Sequence, residues 1–275
     1  MHCLALFLVS WSIATVAAAA PSDPCADRAV PPAARAMGFT RAVIDVCPKA
    51  TDISPDGQGS FKLYNGAIWD TFRAPPDTYR TVPDGLAIKL TGGVTTLSPV
   101  GAQGTLPTLA GDRGFFVEFE TYLSSNDRDH WPALWLMPRE HNLSQGDVYP
   151  GDPKDFQRWM ELDVDEGGFT TGWLGTVHSW TGIWPKHQTE RSPHWELGPV
   201  LDRRQVHTFS ASFEPRTLKV VWWLDGKKIS EAGPPAVPKI ARQQNFYLLM
   251  NSQSHGKNIP YEMIVRRFRA FVPPR

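Results

Sequence analysis

Residues 115–123 read FFVEFETYL, and in this stretch Glu118 and Glu120 face one way while Val117, Phe119 and Thr121 face the other. A repeat of two is the signature of a half-buried β-strand, because successive side chains leave opposite faces of the pleat. Short runs of the same β-type composition recur along the chain, separated by clusters of Gly, Pro, Asn and Asp: 61–64, 86–90, 94–97, 133–137, 159–164, 173–180, 206–213, 218–224, 246–251 and 263–272. In LKVVWWLDGKKI, residues 218–229, Asp225-Gly226 separates two such runs and predicts a hairpin. No helical periodicity is sustained, no long helices alternate with the strands, and no segment repeats. Two antiparallel sheets packed face to face, an all-β sandwich, fit this pattern.

The chain of 275 residues is 41% hydrophobic, enough for one large core, and sandwiches of this length are commonly single domains. Its formal net charge is zero, which offers no electrostatic footprint for nucleic acid or an anionic membrane and makes a neutral polymer the easier partner. Eleven tryptophans exceed an ordinary share. The flat indole suits the C–H faces of sugar rings, although filling a β core also accounts for many of them.

Residues 1–20 combine an apolar run from Cys3 to Val16 with small residues at the expected cleavage point, so they predict a secretory signal and an exported, extracellular or periplasmic product. No later segment is long and apolar enough to span a bilayer. Residues 21–275 are then expected to form one domain and to act as a monomer, with 21–60 as an extended lead-in across the sandwich. Removal of Cys3 leaves Cys25 and Cys47, either disulfide-bonded as an exported pair or as two thiols without a role. Asn142-Leu143-Ser144 matches a glycosylation acceptor, meaningful only in a eukaryotic source.

The chemistry concentrates in RWMELDVDEGG, residues 158–168, with carboxylates at Glu161, Asp163 and Glu166 and Trp159 upstream. On a regular strand 159, 161, 163 and 165 share a face and 166 points away. A β-bulge near Val164 or Asp165 brings Glu166 onto the face of Glu161 and Asp163; without it Asp165 takes that place, and both registers are open. In the bulged register the two Glu backbones stand ~13 Å apart, and side chains reaching inward bring their carboxyl groups to ~5 Å. That separation suits a retaining glycosidase, in which one carboxylate attacks and the other donates a proton. A solvated acidic strand or a cation site made from carboxylates is the plainer alternative. A long polar loop, 138–158, runs into this strand and is expected to wall one end of a cleft.

The order and spacing of Trp131-Pro-Ala-Leu-Trp135, Glu161-x-Asp163-x-x-Glu166, Gly175-Thr-Val-His178, the segment from His207 to Pro215, Trp223-Leu-Asp-Gly226 and the segment from Phe246 to Asn251 resemble the laminarinase-like endo-β-glycanases, glycoside hydrolase family sixteen. The resemblance runs from about Met37 to Phe271. It implies a concanavalin A-like jelly roll with an open cleft on the concave sheet, and a secreted retaining endo-β-glycanase acting on β-1,3- or mixed-linked glucan. It makes Glu161 the nucleophile, Asp163 the assisting carboxylate and Glu166 the general acid/base, with Trp131, Trp135, Trp159, His178 and Trp180 as sugar-binding candidates and no cofactor or catalytic metal. Trp131 and Trp135 share a strand face with Ala133 and either line the cleft or fill the core. Two positions depart from the family: Asp165 stands where relatives carry an apolar residue, and Arg266 stands where many carry an Asp, which puts a convex-face calcium site in doubt. The alternatives are the same mechanism on a galactan, xyloglucan or other matrix polysaccharide, as hydrolase or transglycosylase, and a non-catalytic sugar-binding jelly roll.

Overall fold

The computed structural model describes residues 25–67, 73–99, 104–141, 147, 149–168, 172–191 and 198–274. The expected signal segment, with Cys3, and the Asn142–Ser144 acceptor lie outside them. Among the described residues seventeen strands follow a short helix, α1 (Pro32–Ala36). The first eight are β1 (Arg41–Val46), β2 (Ile53–Ser54), β3 (Leu63–Asn65), β4 (Tyr79–Val82), β5 (Gly85–Lys89), β6 (Gly93–Thr95), β7 (Leu109–Ala110) and β8 (Phe115–Leu123). Then come β9 (His130–Pro138), β10 (Phe156–Glu166), β11 (Thr176–Ile183), β12 (Gln188–Arg191), β13 (His207–Glu214), β14 (Lys219–Leu224), β15 (Lys227–Ala232), β16 (Asn245–Ser254) and β17 (Glu262–Val272).

They form two sheets. One has the order β15-β14-β13-β8-β17-β5-β4, with β1 also on β17; the other runs β12-β11-β10-β9-β16-β6-β3-β2, with β7 also on β16. Apart from the parallel pair β2 and β3, all pairings between strands are antiparallel. The expected two-sheet antiparallel sandwich is what forms. The stretch from Phe115 to Leu123 is β8 at the centre of the first sheet, with Val117 and Phe119 fully buried between the layers. The Asp225-Gly226 signal is the β14–β15 turn, where both residues have positive φ, 49° and 74°, as the tightest hairpin turn requires.

The interior is filled by alternate residues of both sheets: Phe115, Val117 and Phe119 of β8 and Phe209, Ala211 and Phe213 of β13 meet Leu134 and Leu136 of β9 and Met160, Leu162 and Val164 of β10. The outer face of the first sheet is covered by the lead-in, where Ala34 and Phe39 pack on Phe116, Val221, Trp223 and Phe271. A Cys25–Cys47 disulfide, with Cα atoms 6.2 Å apart, ties this lead-in to the end of β1. Arg266 pairs with Glu120 and with Asp84, and its neighbour Arg267 holds both oxygens of Asp45 at 2.8 Å. Guanidinium groups thus neutralise the acids of this face. Among the described residues the other sheet leaves its outer face open, and that face carries the site.

Candidate active site

A cleft of about 760 Å³ lies across the open face of β9, β10, β16 and β6. Its floor comes from every second residue: Trp131, Ala133, Trp135 and Met137 from β9, and Leu249, Asn251 and Gln253 from β16. Trp131 and Trp135 therefore face the cleft and not the core. The Trp135 indole donates to Asn251 Oδ1 at 2.6 Å, fixing the amide beside it.

On β10 the pairing with β9 slips by one residue. Leu162 and Asp163 stand opposite Leu136 and Trp135, whereas Asp165 and Glu166 stand opposite Leu134 and Ala133, so Val164 is the extra residue of a β-bulge. Ala133 and Trp135 look into the cleft, and their partners Glu166 and Asp163 do too. All three acids, Glu161, Asp163 and Glu166, line it. Asp165 is turned away, opposite a core residue, and of the two registers open to the sequence the bulged one forms.

The bulge is held from behind. Its freed carbonyls accept from two core indoles, Asp163 O from Trp222 at 2.8 Å and Val164 O from Trp173 at 3.0 Å. The Asp165 carboxylate is gripped by Arg203, which donates through two nitrogens at 2.6 and 2.9 Å and also reaches Gly172 O at 2.8 Å. Both members are buried. A carboxylate in that place costs several kcal/mol to desolvate, and a bidentate guanidinium is the partner that offsets it. Two of the eleven tryptophans thus serve the backbone of the site, a use that composition alone does not reveal.

Glu161 stands opposite His178 of β11, and Trp159 opposite Trp180. The Trp180 indole donates to Glu161 Oε2 at 2.9 Å, and the Trp131 indole donates to Glu166 Oε1 at 3.2 Å. His178 Nε2 lies 3.3 Å from Asp163 Oδ2. Burial, and after it the charge of Asp163, pushes the Glu161 carboxyl up to about 8, against the pull of His178 and the Trp180 hydrogen bond. Near neutrality the Glu161 carboxyl therefore keeps its proton. Burial and the nearby Glu161 also push the Tyr247 phenol far above its usual range.

One donor atom each from Glu161, Asp163 and His178 lie within 4.8 Å of one another, so these three could hold a metal ion. Glu166 lies outside that group of three and has its own indole donor.

The remaining expected sugar-binding residues take different places. Trp159 is buried, its ring covered by His141 at a centroid separation of 3.6 Å and flanked by Trp180 at 5.7 Å. His178 stacks on Trp180 at 5.5 Å behind the acids. The cleft wall beside them is made by residues to which the sequence pattern assigns no role, His141, Gln157 and Trp184. Gln157 is within reach of the period-two rule, since it shares a face with Trp159 and Glu161. His141 belongs to the 138–158 loop, the segment expected to wall the cleft.

No known family profile matches the chain, and no curated protein sequence does. Solved structures do resemble it. One, from work on endo-acting O-glycanases that prominent members of the human gut microbiota express to initiate mucin breakdown, superposes with a TM-score of 0.52 at 16% identity, over 84% of this chain and 99% of the other. The β-porphyranase of the human gut bacterium Bacteroides plebeius superposes with a TM-score of 0.51 at 11% identity, over 84% and 94% of the two chains. At these identities the likeness is one of fold, and it extends over nearly the whole of each partner: the chain is a two-sheet jelly-roll sandwich of the kind those proteins have.

Proposed function

We propose that the protein is a secreted, retaining endo-β-glycanase in which Glu161 is the nucleophile, Glu166 the general acid/base and Asp163 the assisting carboxylate that takes the proton Glu161 gives up. The observation that carries this reading is the bulge at Val164, which places Glu166 on the face of Glu161 and Asp163 and sends Asp165 away. A binding protein needs neither a bulge nor a guanidinium clamp to present acids to a sugar; a double displacement needs two carboxyl groups ~5 Å apart on one face. The likeness in fold to a protein from work on endo-acting O-glycanases and to a β-porphyranase supports the same class.

Once its proton has passed to Asp163, Glu161 is an anion aimed by the Trp180 indole and attacks the anomeric carbon. The bond to the leaving oxygen breaks as Glu166 gives that oxygen its proton. Glu166, now a carboxylate, takes a proton from water, and the hydroxide formed displaces Glu161 at the same carbon. Two inversions give net retention. An open cleft admits the middle of a chain, which favours internal cleavage. Neutral β-1,3- or mixed-linked glucan is the preferred polymer, since the described cleft lining offers carboxylates, amides and indoles and no Lys or Arg. A Cys25–Cys47 disulfide is what an exported chain would carry.

The test is a panel of laminarin, lichenan, agarose, porphyran and xyloglucan, with product sizes and the first-formed anomer read by proton NMR. Retained configuration and loss of activity in Glu161→Gln are expected. Inverted product would overturn the mechanism, and binding without cleavage of any member would make the protein a lectin.

A further inference from the structure

A second cluster of polar and aromatic groups lies in the same cleft, where His141 and Asp147, between β9 and β10, come near the β11–β12 hairpin. His141 lines the cleft with its ring packed flat on Trp159, the planes 16° apart. Its Nδ1 lies 3.1 Å from Oδ2 of Asp147, a carboxylate with no exposed surface at all. A carboxylate accepts, so Nδ1 carries a proton, which in a neutral imidazole leaves the lone pair on Nε2. Stacking and the buried acceptor together leave the ring one orientation and one tautomer. Such double restraint is expected of a side chain with a hydrogen bond to make elsewhere.

Trp184 stands nearby at the hairpin tip. It is 76% exposed, the one aromatic among the exposed large apolar side chains described, and it lines the same cleft. Its ring is 5.7 Å from His187, which meets the edge of Trp159 at 4.9 Å, so the hairpin is tied to the aromatic stack and does not hang free. An indole exposed at the rim of a cleft offers a flat apolar face with a polar N–H, and the flat C–H face of a pyranose fits against it. Gln157, on the wall of the same cleft, adds an amide able to donate and accept.

We propose that His141 and Trp184 form a sugar-binding subsite that takes one pyranose ring of the bound glycan, the ring lying on the Trp184 indole and one of its hydroxyls donating to His141 Nε2, with Asp147 as the positioning residue that sets the tautomer. This rests on the glycanase reading, but it concerns groups that touch neither the scissile bond nor the three acids. It predicts that their loss weakens binding and leaves the chemical step alone.

The experiment measures kcat and KM separately for the wild type, Trp184→Ala, Trp184→Phe, His141→Ala and Asp147→Asn, on whichever of laminarin, lichenan, agarose, porphyran or xyloglucan the wild type cleaves. Trp184→Ala, at an exposed position that folding does not need, should raise KM roughly 3–10-fold with kcat within about 2-fold, and Trp184→Phe should recover most of the loss. His141→Ala should raise KM by a similar factor, and Asp147→Asn by less, again with kcat little changed. Cleavage with KM within about 2-fold of wild type in both Trp184→Ala and His141→Ala overturns the subsite while leaving the glycanase reading intact. A wild type that cleaves no member of the panel overturns both.

Discussion

Replacing Glu161 by Gln should stabilise the protein, and the gain should grow with pH. In the folded chain burial, then Asp163, raises this carboxyl from its ordinary 4.5 to about 8. Below pH 4.5 it is protonated in both states and costs nothing. Between 4.5 and 8 the unfolded chain has released the proton and the folded chain still holds it, so stability falls as pH rises; above 8 both forms are ionised and the full penalty remains. Each tenfold in proton affinity is worth about 1.4 kcal/mol, which sets a ceiling of about 5 kcal/mol above about pH 8 and about 3 kcal/mol at about pH 7. Glu161 is not wholly shielded from solvent, and water reaching it reduces the measured gain to about 2–4 kcal/mol. The substituted amide would still accept the Trp180 hydrogen bond through its oxygen, so the comparison isolates the charge. The assay is reversible urea unfolding of wild type and Glu161→Gln at pH 4, 7 and 9, with melting temperatures alongside; for a domain of this size 1 kcal/mol moves the melting point by roughly 2–4 °C. Stability curves that stay parallel from pH 4 to 9 would refute the claim that the cleft holds a proton, and with it the account of how Asp163 and Glu161 divide their roles.

The acids on either side of the bulge should separate cleanly. Glu166→Gln should lower kcat/KM by about 10²–10⁴, the usual worth of a general acid, with stability almost unchanged, whereas Arg203→Ala should cost about 3–5 kcal/mol of stability by stranding the buried Asp165. If Asp165→Asn abolishes turnover in protein that circular dichroism and melting show to be folded, while Glu166→Gln does not, the register is wrong. Asp163→Asn should shift the rising, acid-side limb of the pH profile of kcat/KM to lower pH, because it removes the second-largest cause holding the Glu161 carboxyl up; a limb that stays in place would detach Asp163 from the nucleophile. Cys47→Ser opens a link between residues 22 apart in sequence, which should cost about 3 kcal/mol in urea unfolding, and a loss under about 0.5 kcal/mol would make the tie incidental.

What can be read from the chain in advance follows the range of the forces involved. Period-two burial is local, so β8 is recovered to the residue and β9, β10, β16 and β17 to within a few residues. The hairpin at Asp225-Gly226 is local in the same way, a matter of two φ values. Edge strands such as β4 and β12 lack an alternating apolar face, with β4 half exposed, and give no such signal. The face on which Trp131 and Trp135 sit is legible; whether that face is core or cleft is not, because it depends on which sheet receives the lead-in. Ala34 and Phe39 cover the other sheet.

The register at Asp165 shows where local reading ends. Seen from the strand alone, Asp165 continues the alternation of Glu161 and Asp163 and a regular β10 would send it into the cleft; nothing within residues 158–168 penalises that choice. The penalty lies elsewhere. Arg203, 38 residues on, offers a buried bidentate partner that only an inward-facing Asp165 can reach. Trp173 and Trp222 offer indole N–H groups to the carbonyls of Val164 and Asp163 beside the slip in pairing. A regular strand would leave the Arg203 guanidinium buried without its carboxylate and remove the reason for those two indoles to turn toward the backbone. Each of these losses is of the order of 1–5 kcal/mol, together comparable with the net stability of a domain. The departure of Asp165 from the apolar residue expected there is therefore compensated, and the compensation aims Glu166: the same clamp that neutralises one acid turns the next into the cleft.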